Sequence, residues 1–252
     1  MPELRRPAQS TRAMAAKRRK LAIAIAVGAL LIMVLIALLL QGRVLAGLGG
    51  ATLVLLLLLR VLADVADRET SRLLKAERRA LRGASGEEVV GAILSGLGQD
   101  YFAIHDLESP YGNIDHIVFA RSGSVFMIET KAHHGRVDQA NGAMVINGRP
   151  PEKDFTAQAL RNAAWLGEHL SALVGSKVWV TPILVFANAF VPKILPIRGV
   201  AIVNKKFLAA ELLARSKGSP ASRVWELKAE IAHNLQLPMP RTSGAESRPK
   251  SR

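Results

Sequence analysis

Two long apolar runs near the N-terminus dominate the hydrophobic pattern of the chain. Residues 21–40 contain no charged side chain, and a helix of that length spans roughly 30 Å, enough to cross a bilayer. A polar turn at residues 41–43 separates this run from a second one at residues 44–59, where Arg60 can snorkel at the end. A signal peptide fits less well because its apolar run is shorter, and unbroken leucine runs disfavour a buried soluble hairpin. The pattern therefore predicts a transmembrane helical hairpin over residues 21–63.

Charge and helix formers replace the apolar pattern beyond the hairpin. Residues 64–82 predict a charged juxtamembrane helix. We expect Gly83-Ala84-Ser85-Gly86 to break that helix and to mark the domain boundary. Ser85 and Glu88 have the spacing of a capping box, which would start the next helix.

The remaining chain alternates between strand and helix patterns. Runs of β-branched and aromatic residues bounded by turn residues predict strands at residues 101–107, 113–120, 124–132, 178–186 and 199–203, with a short hairpin around Asn141-Gly142. Helical periodicity predicts helices at residues 154–174, 207–213 and 224–235. This alternation predicts an α/β domain over residues 83–237 with a central sheet covered on both faces. The Pro-, Ser- and Arg-rich tail at 238–252 is expected to be disordered.

Net charge gives little support to a nucleic-acid groove but does predict membrane orientation. The chain holds 34 Lys and Arg against 20 Asp and Glu, and the excess lies in residues 1–82 and in the tail, leaving residues 83–240 nearly neutral. Basic residues flank both apolar runs, in the cytoplasmic N-terminus (residues 1–20) and in the juxtamembrane helix, whereas the turn has only Arg43. The positive-inside rule then predicts a two-pass protein of a bacterial-type inner membrane, with both termini and the α/β domain in the cytoplasm. Cysteine is absent, which excludes disulfides and thiolate metal sites.

Charged residues inside apolar strands indicate a candidate active site. Asp115 lies in the 113–120 strand, and Glu129 and Lys131 lie in the 124–132 strand. Burying a charge costs several kcal/mol unless a partner offsets it, and the two-residue period places Glu129 and Lys131 on one face. Two acids beside an ammonium group match metal-assisted phosphodiester hydrolysis, although a structural ion-pair network is an open alternative.

Two further polar side chains are aimed at the same sheet. Glu87 shares a helical stripe with Val90 and Leu94 and is a candidate third acid. Gln158 lies on the inward face of the 154–174 helix, where a hydrogen bond to sheet backbone is an equally good interpretation. His116 points away from Asp115 and is expected to be a packed, hydrogen-bonded histidine.

The order of these elements resembles the core of the PD-(D/E)XK nuclease superfamily, and their sequence motifs resemble those of the nuclease-related domain (NERD) family. The matching motifs are Gly86-Glu87-x-x-Val90, Gly112-Asn113-Ile114-Asp115-His116-Ile117-Val118, Ile128-Glu129-Thr130-Lys131 and Gln158. The resemblance covers residues 83–190 and implies a restriction-endonuclease-like αβββαβ core with a mixed central sheet, preceded by the two transmembrane helices. The family pattern tends to carry Asn or an aromatic residue after Glu-x-Lys, where this chain has Ala132-His133-His134-Gly135.

The resemblance also implies roles for the candidate residues. Asp115 and Glu129 would be metal ligands for Mg²⁺, with Mn²⁺ as an alternative, and Glu87 would be an additional ligand or an acid just outside the ligands. Lys131 would orient water or stabilise charge, and Gln158 would position substrate or water. We expect a membrane-bound deoxyribonuclease acting on nucleic acid, with DNA favoured over RNA. The open alternative is a catalytically inactive nuclease fold that binds nucleic acid or a protein partner at the membrane.

Overall fold

A six-stranded mixed sheet forms the frame of the chain from residue 101 onward. The structure is a computed structural model that describes residues 5–41, 49–192, 194–216 and 223–236, with side chains described outside residues 37–55. The strands are β1 Tyr101–Leu107, β2 Ile114–Ala120, β3 Val125–Lys131, β4 Val137–Ala140, β5 Ala143–Ile146, β6 Val180–Phe186, β7 Leu195–Ile197 and β8 Val200–Asn204. The helices are α1 Gln9–Gln41, α2 Gly49–Ser95, α3 Phe155–Val174, α4 Leu208–Arg215, α5 Arg223–Glu226 and α6 Lys228–Gln236.

The sheet has the order β1-β2-β3-β6-β8-β7, and β4 and β5 form a separate hairpin. The first three strands are antiparallel neighbours, because short turns join them in sequence. Strand β6 pairs parallel to β3 after the α3 crossover, and β8 pairs parallel to β6. Strand β3 is therefore central and is hydrogen-bonded on both sides.

Two apolar layers cover this sheet, one on each face. On one face Ile117, Met127 and Leu184 pack with α3, whose buried stripe includes Leu166 and Leu170. On the other face the sheet packs against the C-terminal part of α2 and against α4, through the buried residues Val90, Leu94, Val118, Ile128, Val185, Leu208 and Leu212. Successive side chains of β2 and β3 therefore enter different cores, as the two-residue strand period requires.

Most predicted strands and helices agree with the structure to within two residues. The α/β class, the mixed sheet and the adjacency of β2 and β3 are confirmed. Asn141 and Gly142 both have positive φ, as a two-residue hairpin turn requires. Strand β7 was not predicted, since Pro196 lies in it, and it pairs at the sheet edge where proline is tolerated. The predicted 224–235 helix is two helices separated at Leu227.

The expected helix break at residues 83–86 is wrong, because α2 continues through them to Ser95. Gly86 is buried where α2 crosses β3, and a Cβ added there would lie 3.2 Å from the Cβ of Ala187 and 3.5 Å from Thr130 Cγ2. Glycine thus permits close helix–sheet contact rather than ending the helix. The capping box is also wrong, since Glu88 pairs with Arg12 instead. The domain boundary itself stays a prediction.

Helix α1 packs antiparallel to α2, its start lying beside the end of α2. Arg18 Nη1 donates to the Ala76 carbonyl at 3.1 Å, and Thr11 contacts Glu87 near the far end of α2. Within the described residues, Gln9–Ile36 is the one helical stretch long and apolar enough to span a bilayer. Large apolar side chains on the first half of α2, such as Leu57 and Leu58, are also exposed. The second membrane span stays a prediction, and the turn at 42–43 and the tail at 238–252 lie outside the described residues.

Candidate active site

Asp115 and Glu129 meet where the β2–β3 ladder ends. The register pairs His116 with Ile128, and its continuation by one residue places Asp115 opposite Glu129. Asp115 Oδ2 accepts a 2.6 Å hydrogen bond from the backbone N–H of Thr130, which fixes the carboxylate against β3. Both acids lie on the α3 side of the sheet, because Ile117 and Met127 on the same strand faces belong to that core.

Glu129 and Lys131 form a buried ion pair on the same face of β3. Lys131 Nζ donates to Glu129 Oε1 at 2.6 Å, and the two side chains are 13% and 5% exposed. The second oxygen, Glu129 Oε2, is buried and has no hydrogen-bond partner among the described residues. A buried carboxylate oxygen without a partner is costly, so this atom is a candidate ligand for a cation.

Glu87 reaches the same electrostatic environment from α2. Its side chain is buried, and Thr11 Oγ1 donates to Glu87 Oε1 at 3.2 Å. Burial raises the pKa of Glu87 to about 7, with smaller contributions from the negative charges of Asp106 and Glu129, while the Thr11 hydrogen bond and Lys131 oppose the rise. The prediction that Glu87 faces the sheet is therefore confirmed, and its carboxyl group changes charge near neutral pH.

The same crowding acts on Asp115. Although the residue retains some surface exposure, the dense protein around its carboxyl group raises its pKa well above the ordinary value. The carboxylates of Glu129 and Glu87 add to this rise, whereas Lys131 and the Thr130 N–H favour the ionised form. Three acids thus share the positive charge of one lysine, an excess of negative charge that a cation would relieve.

The donor set fits a hard divalent cation in part. Asp115 and Glu129 offer carboxylate oxygens, and Mg²⁺ is commonly held by one or two carboxylates with waters and substrate phosphate completing its shell. Among the described residues, however, no three His, Asp or Glu side chains form a ready cluster of ligands. Glu87, hydrogen-bonded to Thr11, is close enough to influence the acids electrostatically without completing such a cluster.

Aromatic side chains border the ammonium group of Lys131. Lys131 Nζ lies 4.8 Å from the ring centroid of Phe155, the first residue of α3. The His133 ring centroid lies 5.2 Å from the Phe155 ring centroid. This contact between a cation and a ring holds Lys131 at the start of α3.

Gln158 lies one turn further along α3 but is only half-buried. A Cβ on Gly112 would lie 3.6 Å from Gln158 Nε2, so the amide faces the loop that precedes β2. Ser109 in that loop donates to Asn162 Oδ1 at 2.9 Å, which ties the loop to α3. Gln158 therefore borders the loop carrying Asn113 rather than bonding to sheet backbone.

Sequence reasoning missed the N-terminal arm, residues 5–12, which packs beside the site. Ser10 donates to Asp106 through both its backbone N–H and its Oγ at 2.6 Å, and Asn113 Nδ2 donates to Ser10 Oγ at 2.7 Å. Pro7 packs on Gly91, whose added Cβ would lie 2.5 Å from Pro7 Cγ. Asp106 is an acid inside a strand pattern, the same signal that identified Asp115.

The interpretation of His116 as a packed histidine is confirmed. It is fully buried, and its Nδ1 lies 2.8 Å from Nδ1 of His105. Burial lowers the pKa of both rings, so both are neutral at physiological pH and one donates to the other. The pair lies on the α2 side of the sheet, opposite Asp115.

Comparison with known families identifies the class of module to which this geometry corresponds. The model of the nuclease-related domain (NERD) family matches residues 82–187. The matched segment contains Glu87, Asp115, Glu129, Lys131 and Gln158, and the mixed sheet is consistent with a nuclease-like fold. Comparisons with curated proteins and with solved structures found no match. The similarity therefore supports a nuclease-related module in this part of the chain.

Proposed function

We propose that this protein is a membrane-anchored, metal-dependent nuclease that hydrolyses phosphodiester bonds of nucleic acid on the cytoplasmic side. DNA is favoured over RNA as its substrate. The observation that carries the proposal is the state of Glu129. One of its oxygens holds Lys131 at 2.6 Å, while the other is buried with no partner in the described structure. A buried carboxylate oxygen without a partner is costly, and coordination of a cation would satisfy it.

Asp115 and Glu129 are the residues that would hold Mg²⁺, or Mn²⁺ in its place. When bound, the cation would supply Lewis acidity at a phosphoryl oxygen and a more acidic water. The proximity of Asp115, Glu129 and Glu87 around one lysine supports this assignment, because a bound cation would offset the repulsion among the three carboxylates. Glu87 acts as an additional ligand or as an acid that lies outside the ligands Asp115 and Glu129 and adds negative charge to the site.

Lys131 supplies the positive charge that the chain itself contributes. Its ammonium group, held between Glu129 and the Phe155 ring, stabilises negative charge that develops on the phosphate or orients the attacking water. Gln158, which borders the loop that precedes β2, positions substrate or water.

The membrane assignment rests on the exposed apolar helices. Large apolar side chains of α1 such as Leu30, Leu31 and Leu35 are more than half exposed in the described structure. The basic flanks of the apolar runs support a cytoplasmic location for both termini. A reporter enzyme that works only in the cytoplasm should be active when fused after Arg252, and an inactive fusion that is expressed at normal levels would contradict this orientation.

Cleavage by the purified full-length chain tests the chemistry. In detergent, with labelled single-stranded DNA, duplex DNA and RNA, we expect cleavage with Mg²⁺ or Mn²⁺ and none with EDTA. Asp115→Asn should reduce the rate more than about 100-fold, because losing even an outer partner of a metal ligand costs 10- to 100-fold. Asp100→Asn is the matched control, since Asp100 is an exposed acid paired with Arg121.

Thermal unfolding of the same variants separates catalysis from structure. The amide of Asn keeps the shape of Asp115, so the variant should melt at or above the wild-type temperature. Loss of the fold in Asp115→Asn would refute the proposed nuclease activity. So would the absence of any effect of divalent ions on cleavage by the wild type.

The second candidate, an inactive nuclease fold that binds a partner, is favoured by two observations. The described residues include no ready cluster of three metal-ligating side chains, and Lys131 is already neutralised by Glu129. A chain that binds DNA without cleaving it under any divalent ion would support this candidate.

A further inference from the structure

A groove of about 520 Å³ lies between α2 and the loop that joins β5 to α3. Arg79 of α2 forms one wall, and Arg149 and Lys153 of the loop form the other, with His133 and Phe155 also lining the groove. The groove thus brings together cations that are 70 residues or more apart in sequence. No role assigned so far uses any of these three cations.

The groove carries an excess of positive charge that the protein leaves uncompensated. Glu152 is its one acid among the lining residues, against Arg79, Arg149 and Lys153. All three cations are exposed, and in the described structure none of them forms a salt bridge with an acid. Nearby arginines do find acids, as Arg198 does with Asp154 at 2.6 Å. Free cations around a depression are the arrangement expected for a polyanion.

The groove borders the candidate active site through Phe155. Phe155 lines the groove, and its ring also lies under the Lys131 ammonium group at 4.8 Å. His133, which lies 5.2 Å from the same ring, borders the groove as well. A phosphate chain lying along the groove therefore approaches Lys131 across a single aromatic side chain.

The loop that forms one wall is held in place. Asp154 caps α3 by accepting from the Ala157 N–H at 2.9 Å and from Thr156 Oγ1 at 2.6 Å. Arg198 ties the same carboxylate to the β7–β8 turn. Arg149 and Lys153 thus extend from an anchored loop, which reduces the ordering cost of binding.

The charge continues along α2 beyond the groove. A second depression of about 570 Å³ shares Arg79 with the first and adds Lys75, Arg78 and Arg82. The two depressions adjoin at Arg79 and form one basic track longer than a single phosphate. This extent favours a polymer over a small anion.

Distance argues against lipid headgroups as the ligand of the groove. At about 1.5 Å per residue, Arg79 lies roughly 24 Å along α2 beyond residue 63, the end of the predicted membrane span. The headgroup layer adds only about 5–8 Å to each side of the hydrocarbon core. Arg79 and the loop opposite it therefore lie well outside the lipid layer.

We propose that Arg79, Arg149 and Lys153 bind the phosphate backbone of the nucleic-acid substrate and lead it past Phe155 to Lys131. This inference rests on the proposed function, since it assigns the substrate path of the same site. Such contacts bind the phosphate backbone and do not recognise the bases, so the affinity should depend little on the nucleotide sequence.

Binding without cleavage tests the groove separately from the chemistry. The full-length chain in nanodiscs of neutral lipid is titrated with fluorescent 20-nucleotide DNA in EDTA, and anisotropy is followed at several salt concentrations. The variants are Arg79→Gln, Arg149→Gln and Lys153→Gln. Arg121→Gln is the charge-matched control, because Arg121 lies at the other end of β2, about 20 Å along the strand from Asp115.

Each groove variant should bind about 5- to 10-fold more weakly at 0.1 M salt, and the slope of log Kd against log salt should fall by about 0.7–0.9, the counterion release of one phosphate contact. The control should keep the wild-type affinity and slope. Groove variants that bind like the control would overturn the inference. If the groove variants keep the wild-type DNA affinity in neutral nanodiscs and anionic lipid weakens DNA binding by the wild type but not by the variants, the cations are assigned to headgroups and the inference fails.

The outcomes also distinguish the groove from the proposed function. If the groove variants lose binding while the wild type never cleaves DNA with Mg²⁺, the groove stands and the nuclease activity fails. If the wild type cleaves and the groove variants retain its KM, the activity stands and the groove assignment fails.

Discussion

Replacing Glu87 by Gln tests the electrostatics of the site without depending on activity. Glu87 and Glu88 are neighbours on α2 in opposite environments. Burial and nearby acids raise the pKa of Glu87 to about 7, whereas the hydrogen bond from Arg12 lowers the pKa of Glu88. Gln keeps the size of either side chain and removes its titration, so the pair provides a variant and a matched control one residue apart.

The expected size follows from the shift of the Glu87 pKa between the unfolded and folded states. The rise from 4.5 to about 7 corresponds to at most roughly 3.5 kcal/mol, at about 1.4 kcal/mol per pKa unit. Below pH 4.5 the acid is protonated in both states and has no effect. As the pH rises to 7 the unfolded state releases its proton first, so the free energy of unfolding of the wild type falls.

The Glu87→Gln variant does not lose this free energy of unfolding, so its stability relative to wild type should increase as the pH rises. Between pH 4.5 and pH 8 its melting temperature relative to wild type should increase by several degrees, at roughly 2–4 °C per kcal/mol for a domain of this size. Cleavage of DNA should fall in the same variant. The measurement is intrinsic fluorescence during thermal unfolding of the full-length chain in EDTA, at pH 5 and pH 8.

Glu88→Gln should show the opposite sign, because a lowered pKa stabilises the folded state at neutral pH and Gln removes that stabilisation. Since Glu88 is largely solvated, its effect should be smaller. The reasoning is refuted if Glu87→Gln melts at or below the wild-type temperature at pH 8, or if its difference from wild type is the same at both pH values.

Two further substitutions probe the buried pair and the N-terminal arm. Lys131→Met should destabilise the protein in EDTA at pH 8 by roughly 3–5 kcal/mol, because Glu129 would lose its buried partner, and calorimetry showing an unchanged melting temperature would contradict the pairing. Gly91→Ala should displace the N-terminal arm, since the new Cβ would lie 2.5 Å from Pro7 Cγ. Limited trypsin digestion should then cut after Arg12 faster than in wild type, and equal rates would show that the arm accommodates the methyl group.

The sequence alone determined the sheet strands and the centre of the candidate site. Strand patterns and turn residues are local, so β1, β2, β3 and β6 could be located from the chain itself. The cost of burying charge made Asp115, Glu129 and Lys131 recognisable as acids and a base within apolar strands. Strand period then placed Glu129 and Lys131 together, as their 2.6 Å contact shows.

Only the tertiary structure decided what surrounds that centre. The break expected at residues 83–86 does not occur because Gly86 fits the close approach of α2 to β3, a contact that no local propensity records. Ser10 reaches Asp106 across 96 residues of chain, and Thr11 reaches Glu87 across 76. The groove likewise forms from Arg79 and a loop at residues 149–153. Such contacts depend on how helices and loops pack on the sheet, so the periodicity of one segment cannot reveal them.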